Sequence, residues 1–320
     1  MRKKSKPADL KKVKTYSIRA RKSKVSSNQL ARCPDPSAPL SDFYRCLPPI
    51  LKARDILKLA RQIDLASRKD RLVLFMMGAH LIKCGLSPLL IDLIRKGIVN
   101  AVAMNGAGAI HDFELAFFGK TSEDVEKRLA DGSFGMASET GEWMNETISE
   151  GVRRGYGLGE AIGQSISRRQ PPFAGHSILA AAYESRIPAT MHVAIGTDII
   201  HQHPNVDGVA LGKGAMLDFR VLAGQIPDLN DGGVVINFGS AVIMPEVFLK
   251  ALTVARNLGS TVKNFTAANF DMIQHYRPNV NVLQRPTSTG GEYFSFTGHH
   301  EIMLPLLYGA ILSFRQPGGE

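Results

Sequence analysis

The segment Asn105-Gly-Ala-Gly-Ala-Ile-His-Asp-Phe-Glu114 concentrates residue types that could do chemistry. Small residues at 106 to 108 let a backbone approach a ligand closely. A helix starting there would aim its free N–H groups at the same place, which suits an anionic group, most often a phosphate. His111, Asp112 and Glu114 follow at once. The two acids read either as a cation site or as ordinary acids of a first helical turn.

Six histidines fall in or beside expected loops: His80, His111, His201, His203, His299 and His300. His201-Gln-His203 follows Asp198 closely. Alternating histidines can share one metal ion. A neutral imidazole can instead take a proton from a bound amine near pH 7. Hydrogen-bonding loop histidines are the plain alternative. Cys33, Cys46 and Cys84 form no metal-ligand spacing and no even disulfide set. No bound metal is therefore expected, and a reducing cytoplasm fits. Neither a G-x-S-x-G elbow nor a P-loop occurs. The last lysine is Lys263.

The elements that must position these groups follow from the apolar runs. Arg71 to Met77 has the length of a buried strand and breaks at Gly78-Ala-His80. Ser87-Pro88 opens a helix over Leu89 to Arg95, Gly97 ends it, and Ile98 to Met104 is the next strand. Further strands are expected at Ala189 to Ile195, 232–238, Thr261 to Ala267 and Val280 to Leu283. Helices are expected over Leu40 to Lys69, Ser122 to Ala130 with Ser122 as N-cap, Thr140 to Arg153, Ser177 to Ser185, Met216 to Gly224, Pro245 to Leu258 and Glu301 to Leu312. Gly155-Tyr-Gly-Leu-Gly159 follows a helix, so it reads as a helix–helix connection rather than a nucleotide fingerprint.

This alternation predicts an α/β fold: a Rossmann-like, mainly parallel sheet with helices on both faces. Four expected strand ends carry small or polar groups: Gly78-Ala-His80, Asn105 to Gly108, Gly196-Thr-Asp198 and Gly239-Ser240. Strand C-termini are where open α/β sheets bind ligands, so a shared crevice is expected there.

The chain has 320 residues, 44 % of them hydrophobic, and a formal net charge of +10. Residues 1–24 hold eleven Lys and Arg against Asp9 alone, which leaves 28 of each sign in the body. The excess thus belongs to an N-terminal arm, residues 1–40, ahead of one domain over 41–320. A solvated or partner-packed arm is favoured over a nucleic-acid contact, because the body offers no basic, aromatic platform. No apolar run reaches the ~18 residues of a membrane span, and no secretory signal is evident.

Taken together, these stretches resemble the deoxyhypusine synthase family, and most of all its bacterial deoxyhypusine synthase-like branch. The resemblance rests on Met77-Gly-Ala-His-Leu-Ile-Lys-Cys-Gly85, Asn105 to Glu114, Asp131-Gly-Ser-Phe-Gly-Met136, Ala194 to His203 and Thr297-Gly-His-His-Glu-Ile-Met303. It extends into the arm through Lys14-Thr-Tyr16 and Arg21 to Val25. It implies a Rossmann-like domain, a homotetramer with shared sites, and NAD as cofactor. By position, Gly78, Ala79 and His80 match a first NAD loop. Asn105, Gly106, Ala107 and Gly108 match the phosphate loop, and Asp198 a ribose-binding acid. Gly239, Ser240 and Thr287 complete the implied NAD contacts.

The family's founding activity oxidises spermidine and moves its butylamine part to a protein lysine, through an imine on a C-terminal active-site lysine. Here Thr287 to Thr297 contains no lysine. His111 also replaces an acidic position of the family. The expectation is therefore an NAD-dependent aminoalkyl transferase acting on a polyamine or other small amine. His203, Asp198, His111, Asp112 and Glu292 are its candidate substrate-binding and proton-moving groups. The alternatives are an NAD-binding protein without turnover and a metal-dependent hydrolase using His201 and His203.

Overall fold

Apolar runs that end at small residues become the strands. In the computed structural model, which describes residues 5–315, they are β1 (Val73–Met77), β2 (Ala101–Asn105), β3 (Ala189–His192), β4 (Val234–Phe238), β5 (Phe265–Asp271) and β6 (Gly291–Thr297). Arg2, Lys3 and Lys4 of the basic arm lie outside the described residues, as do residues 316–320. The strand order is β3-β2-β1-β4-β5-β6, and all five pairings are parallel. The fold is an α/β Rossmann-like one, with the order reversing between β1 and β4.

Alternation along the strands feeds two cores. Val73, Phe75, Met77, Val102, Met104, Ile236, Phe238 and Phe270 pack on one face against helices that include Leu51–Arg68 and His300–Ser313. Leu74, Met76, Ala101, Ala103, Val235 and Phe265 pack on the other, against Gly208–Gln225 and Ile243–Asn257. Strands covered on both faces are mostly apolar, which is why they read as near-continuous runs; the buried exceptions include Asn237 of β4, which donates to Asn269 of β5 at 2.7 Å.

Three expectations are corrected. Val280 to Leu283 is not a strand; it lies in a helical turn, Pro278–Gln284, with Pro278, Asn281 and Val282 buried. The last strand is instead Gly291–Thr297, an edge strand whose Glu292 and Tyr293 are exposed while Phe294 and Phe296 point inward. Ser122 caps nothing: Asp124 accepts from the Lys127 N–H and the helix begins at Val125. The helical stretch 40–69 is two helices, Leu40–Cys46 and Leu51–Arg68, separated at Pro48-Pro49. In the arm, three short turns between Leu10 and Gln29 contain no buried residue. Among the described residues no helix is long and apolar enough to cross a membrane.

Candidate functional site

The register brings the small-residue corners to one rim. Met77 pairs with Met104 and with Phe238, so Gly78 stands beside Asn105 on one side and Gly239 on the other. Gly78 packs directly on the Gly239 carbonyl, with no room for a Cβ. Ala79 and His80 turn from there into the helix His80–Lys83. Ser240 accepts from the Met244 N–H at 3.2 Å and so steadies the start of the helix Ile243–Asn257.

At the end of β2, Asn105 caps the helix Gly106–Phe118 by accepting from the Gly108 N–H at 2.9 Å. The Asp198 carboxyl lies against Gly106, close enough that any side chain there would overlap it. The chain thus places its own carboxyl at the corner where a phosphate is expected from sequence. Burial pushes Asp198 up to about 6, and its Oδ2 has no hydrogen-bond partner among the described residues.

His201 stands next to it. Its Nδ1 accepts from the backbone N–H groups of Gly196 (3.1 Å) and Asp198 (3.3 Å). The neutral ring therefore carries its proton on Nε2. That N–H has no partner among the described residues and lies 3.9 Å from Asp198 Oδ2. Burial holds the His201 pKa below its ordinary value, so this ring donates a hydrogen bond rather than accepting a proton.

A cavity of about 700 Å³ opens beside this pair. One face of the helix Gly106–Phe118 lines it with Ala107, Ile110, His111, Glu114 and Phe118, residues three or four apart. Thr197 and Asp198 form another wall. The charges are four carboxylates (Glu114, Glu123, Glu139, Asp198) against Lys83 and Lys120.

A hydrogen-bond chain runs along this wall. Thr121 donates to Glu114 Oε2, and Thr140 donates to Glu114 Oε1 at 3.0 Å. With its proton so used, Thr121 Oγ1 must accept from His111 Nδ1, 2.6 Å away. His111 is therefore the Nδ1–H tautomer, and its Nε2 keeps a free lone pair. Burial pulls the Glu114 pKa up, but the His111, Thr121 and Thr140 hydrogen bonds outweigh it and hold the carboxylate below its usual range.

Four residues expected at the site are elsewhere. Asp112 is fully buried and accepts from Ser177 Oγ (2.6 Å), Ile178 N (2.7 Å) and Leu179 N (3.1 Å), so it caps the helix Ile178–Glu184. His203 donates from Nε2 to the Gly135 carbonyl at 2.8 Å, and its ring fills the space beside Gly141. Glu292 lies at the N-terminal end of β6, exposed and paired with Lys58, at the opposite edge from the crevice. Thr287 is buried in the short helix Arg285–Thr287, just before β6 begins, and bonds the Leu283 carbonyl at 2.6 Å. The parallel crossover from β5 to β6 carries the chain back to that lower edge, so within one chain both residues lie away from the rim.

His201 Nδ1 and His203 Nε2 are each engaged by backbone groups, and among the described residues neither ring belongs to a cluster of three or more metal-ligating side chains, so the structure offers the two-histidine metal hydrolase no ligand set. Conversely, sequence reasoning passed over Lys83, Lys120, Thr121 and Thr140. Their one signal was closeness in sequence to Gly78 and Glu114 for three of them; Thr140 gave none.

Asp112 gives the first prediction. Asp112→Ala strips two N–H groups at a buried helix start of their acceptor, a loss of about 2–3 kcal/mol. Urea denaturation reads it, and a midpoint equal to that of the parent chain would contradict the capping role.

No family model matches the chain, and no curated protein matches it significantly. Solved structures of similar fold do. The ternary complex of AgrE with ornithine and NAD+ is 14 % identical over 82 % of this chain and 33 % of its own, at a TM-score of 0.54. ArgZ, an arginine dihydrolase of cyanobacteria, is 15 % identical over 82 % of this chain and 32 % of its own, at 0.52. The chain spans about a third of the length of both. A protein from Entamoeba histolytica, assigned provisionally as a deoxyhypusine synthase, is 12 % identical over 87 % of this chain and 94 % of its own, at 0.52. At such identities the likeness is one of fold.

Proposed function

We propose that this chain is an NAD-dependent enzyme that processes a cationic amine, of the deoxyhypusine synthase-like type, moving an aminoalkyl group between amines. The observation that carries this reading is the His111–Thr121–Glu114 chain facing a cavity with more carboxylates than lysines. A polycation is attracted to such a wall. The similar structures support the same direction, since AgrE was solved with ornithine and NAD+ and another neighbour is assigned as a deoxyhypusine synthase.

The residues at the rim fit a dinucleotide. Gly78 and Gly239 leave bare backbone at adjacent strand ends, and Asp198 Oδ2 with His201 Nε2–H offers an acceptor and a donor without partners. That pair suits ribose hydroxyls better than phosphate, because an ionised carboxyl repels a phosphate. The backbone of Gly78, Ala79 and His80, with Asn105 to Gly108, Asp198, Gly239 and Ser240, would hold the cofactor. Bound nicotinamide accepts a hydride from the carbon that bears the amine.

The chain's own groups do the rest. Glu114, held ionised, attracts and orients the ammonium group. His111 Nε2 takes a proton from it, while Thr121 and Glu114 stabilise the imidazolium through Nδ1–H. A homotetramer with sites shared between subunits, cytoplasmic, belongs to the same reading. Exposed Ile195, three residues before Asp198, and exposed Val209 and Met216 on the helix Gly208–Gln225 support a subunit contact.

Calorimetry with NAD tests the cofactor, and absence of binding would remove the reading. Amine-dependent NADH formation or a new product by mass spectrometry, with diamines, agmatine and spermidine, tests turnover. The expected result for His111→Phe is NAD binding as in the parent chain with turnover down by about 10²–10⁴. Full turnover in that variant would overturn the role of His111.

A further inference from the structure

We infer that His80, Cys84 and His300 form a binding site for a zinc-class divalent metal, separate from the His111 cavity. One ligand atom from each of the three lies within 4.8 Å of the others. His80 and Cys84 are four residues apart, spanning the helix His80–Lys83 and its C-cap, so they sit one above the other on a single face. His300 comes from the first position of the helix His300–Ser313, more than two hundred residues later in the chain.

His300 is the unexplained residue. It is 2 % exposed, yet neither ring nitrogen makes a hydrogen bond among the described residues. The Phe270 carbonyl lies close without hydrogen-bonding geometry, and the Asp271 carboxylate is 3.9 Å from Nε2. A buried imidazole with both nitrogens unused loses hydration without compensation. Nothing in the fold requires a histidine there for packing. Its ring fills the space beside Gly239 and tilts against Phe238 at 5.1 Å, which an apolar side chain would do without polar loss. A metal ion gives one nitrogen a partner. Asp271 then supplies the outer carboxylate that histidine ligands commonly have.

The three ligands are nearly in place. The His80 and His300 rings are 5.4 Å apart between centroids and lie at 61° to each other. Bonds of ~2.0–2.3 Å in a tetrahedral site put ligand atoms about 3.3–3.8 Å apart. Closing from 4.8 Å takes a shift of about 1 Å, which exposed His80 can make by rotation. Thiolate and imidazole donors favour zinc, cobalt or copper over magnesium and calcium. Glu301, beside the Cys84 thiol, or a water fills the fourth position. Sequence spacing hid this site, since no His/Cys pattern joins residues 80–84 to residue 300.

Cobalt(II) titration of the full chain without nucleotide tests the site, so the outcome is independent of NAD binding. The expected result is saturable uptake of one equivalent, with tetrahedral visible absorption and a near-ultraviolet sulfur-to-cobalt band. Zinc should displace the cobalt and magnesium should not. Cys84→Ser should abolish the sulfur band, and His80→Ala should weaken uptake at least tenfold. Both positions are outside the sheet core, and a melting profile checks that the variants fold. Absence of saturable uptake, an octahedral spectrum, or a sulfur band that survives Cys84→Ser would each overturn the proposal.

Discussion

Gly106→Ala should weaken NAD binding at least a hundredfold, about 2.8 kcal/mol, while the fold survives. The added methyl overlaps the Asp198 carboxyl, and a side-chain end can swing away where backbone cannot. Alanine is also a good residue for a first helical turn, so the helix Gly106–Phe118 is not weakened. What is lost is the placement of Asp198 and of the His201 Nε2–H beside it. The same carboxyl gives a pH signature. Burial raises it to about 6, so it is protonated below that and a charged acceptor above. In the parent chain, NAD affinity should therefore fall by up to about tenfold per unit as pH drops below 6. In Gly106→Ala that slope should flatten. Calorimetry between pH 5 and 8 measures both, and an unchanged Kd in the variant would contradict the Asp198 assignment.

Gly78→Ala should do something different and damage the fold. The methyl meets the Gly239 carbonyl oxygen, which is backbone. Neither strand can yield, because the Gly78 N–H bonds the Phe238 carbonyl at 3.1 Å and the Gly239 N–H bonds the Phe270 carbonyl at 3.0 Å. Overpacking of this kind costs about 3 kcal/mol. In a chain this size that lowers the melting temperature by about 5 °C. Gly212→Ala is the control. It lies within the helix Gly208–Gln225 with open space at its Cβ, so the melting temperature should hold or rise slightly. Equal melting of Gly78→Ala and the control would mean that the β1 and β4 ends do not pack as described.

Where these predictions place their substitutions was legible in the residues themselves. Gly78, Gly106 and Gly239 stand at the ends of apolar runs, and both the run length and the small residue are visible without coordinates. The expected parallel sheet follows from the same runs, since a strand covered on both faces shows no polar alternation. The edge strand Gly291–Thr297 escaped because it is covered on one side only and alternates over just a few residues. His111 was singled out by type and position. Which of its nitrogens keeps a free lone pair was not legible, because that depends on where the Thr121 proton goes.

By itself, then, the amino-acid order determined the β-α-β grammar, the rim where backbone is bare, and the supply of histidines and acids near it. Only tertiary structure decided which of those groups are free. Asp112 and His203 carry the right chemistry, but the Asp112 oxygens already accept from Ile178 and Leu179, and the His203 Nε2 proton is given to the Gly135 carbonyl. Within one chain, Glu292 and Thr287 sit at the end of a parallel crossover away from the rim. His80, Cys84 and His300 meet although the chain separates them widely. The physical reason is that residue type and period are local, whereas hydrogen-bond satisfaction is settled between segments that touch only after folding.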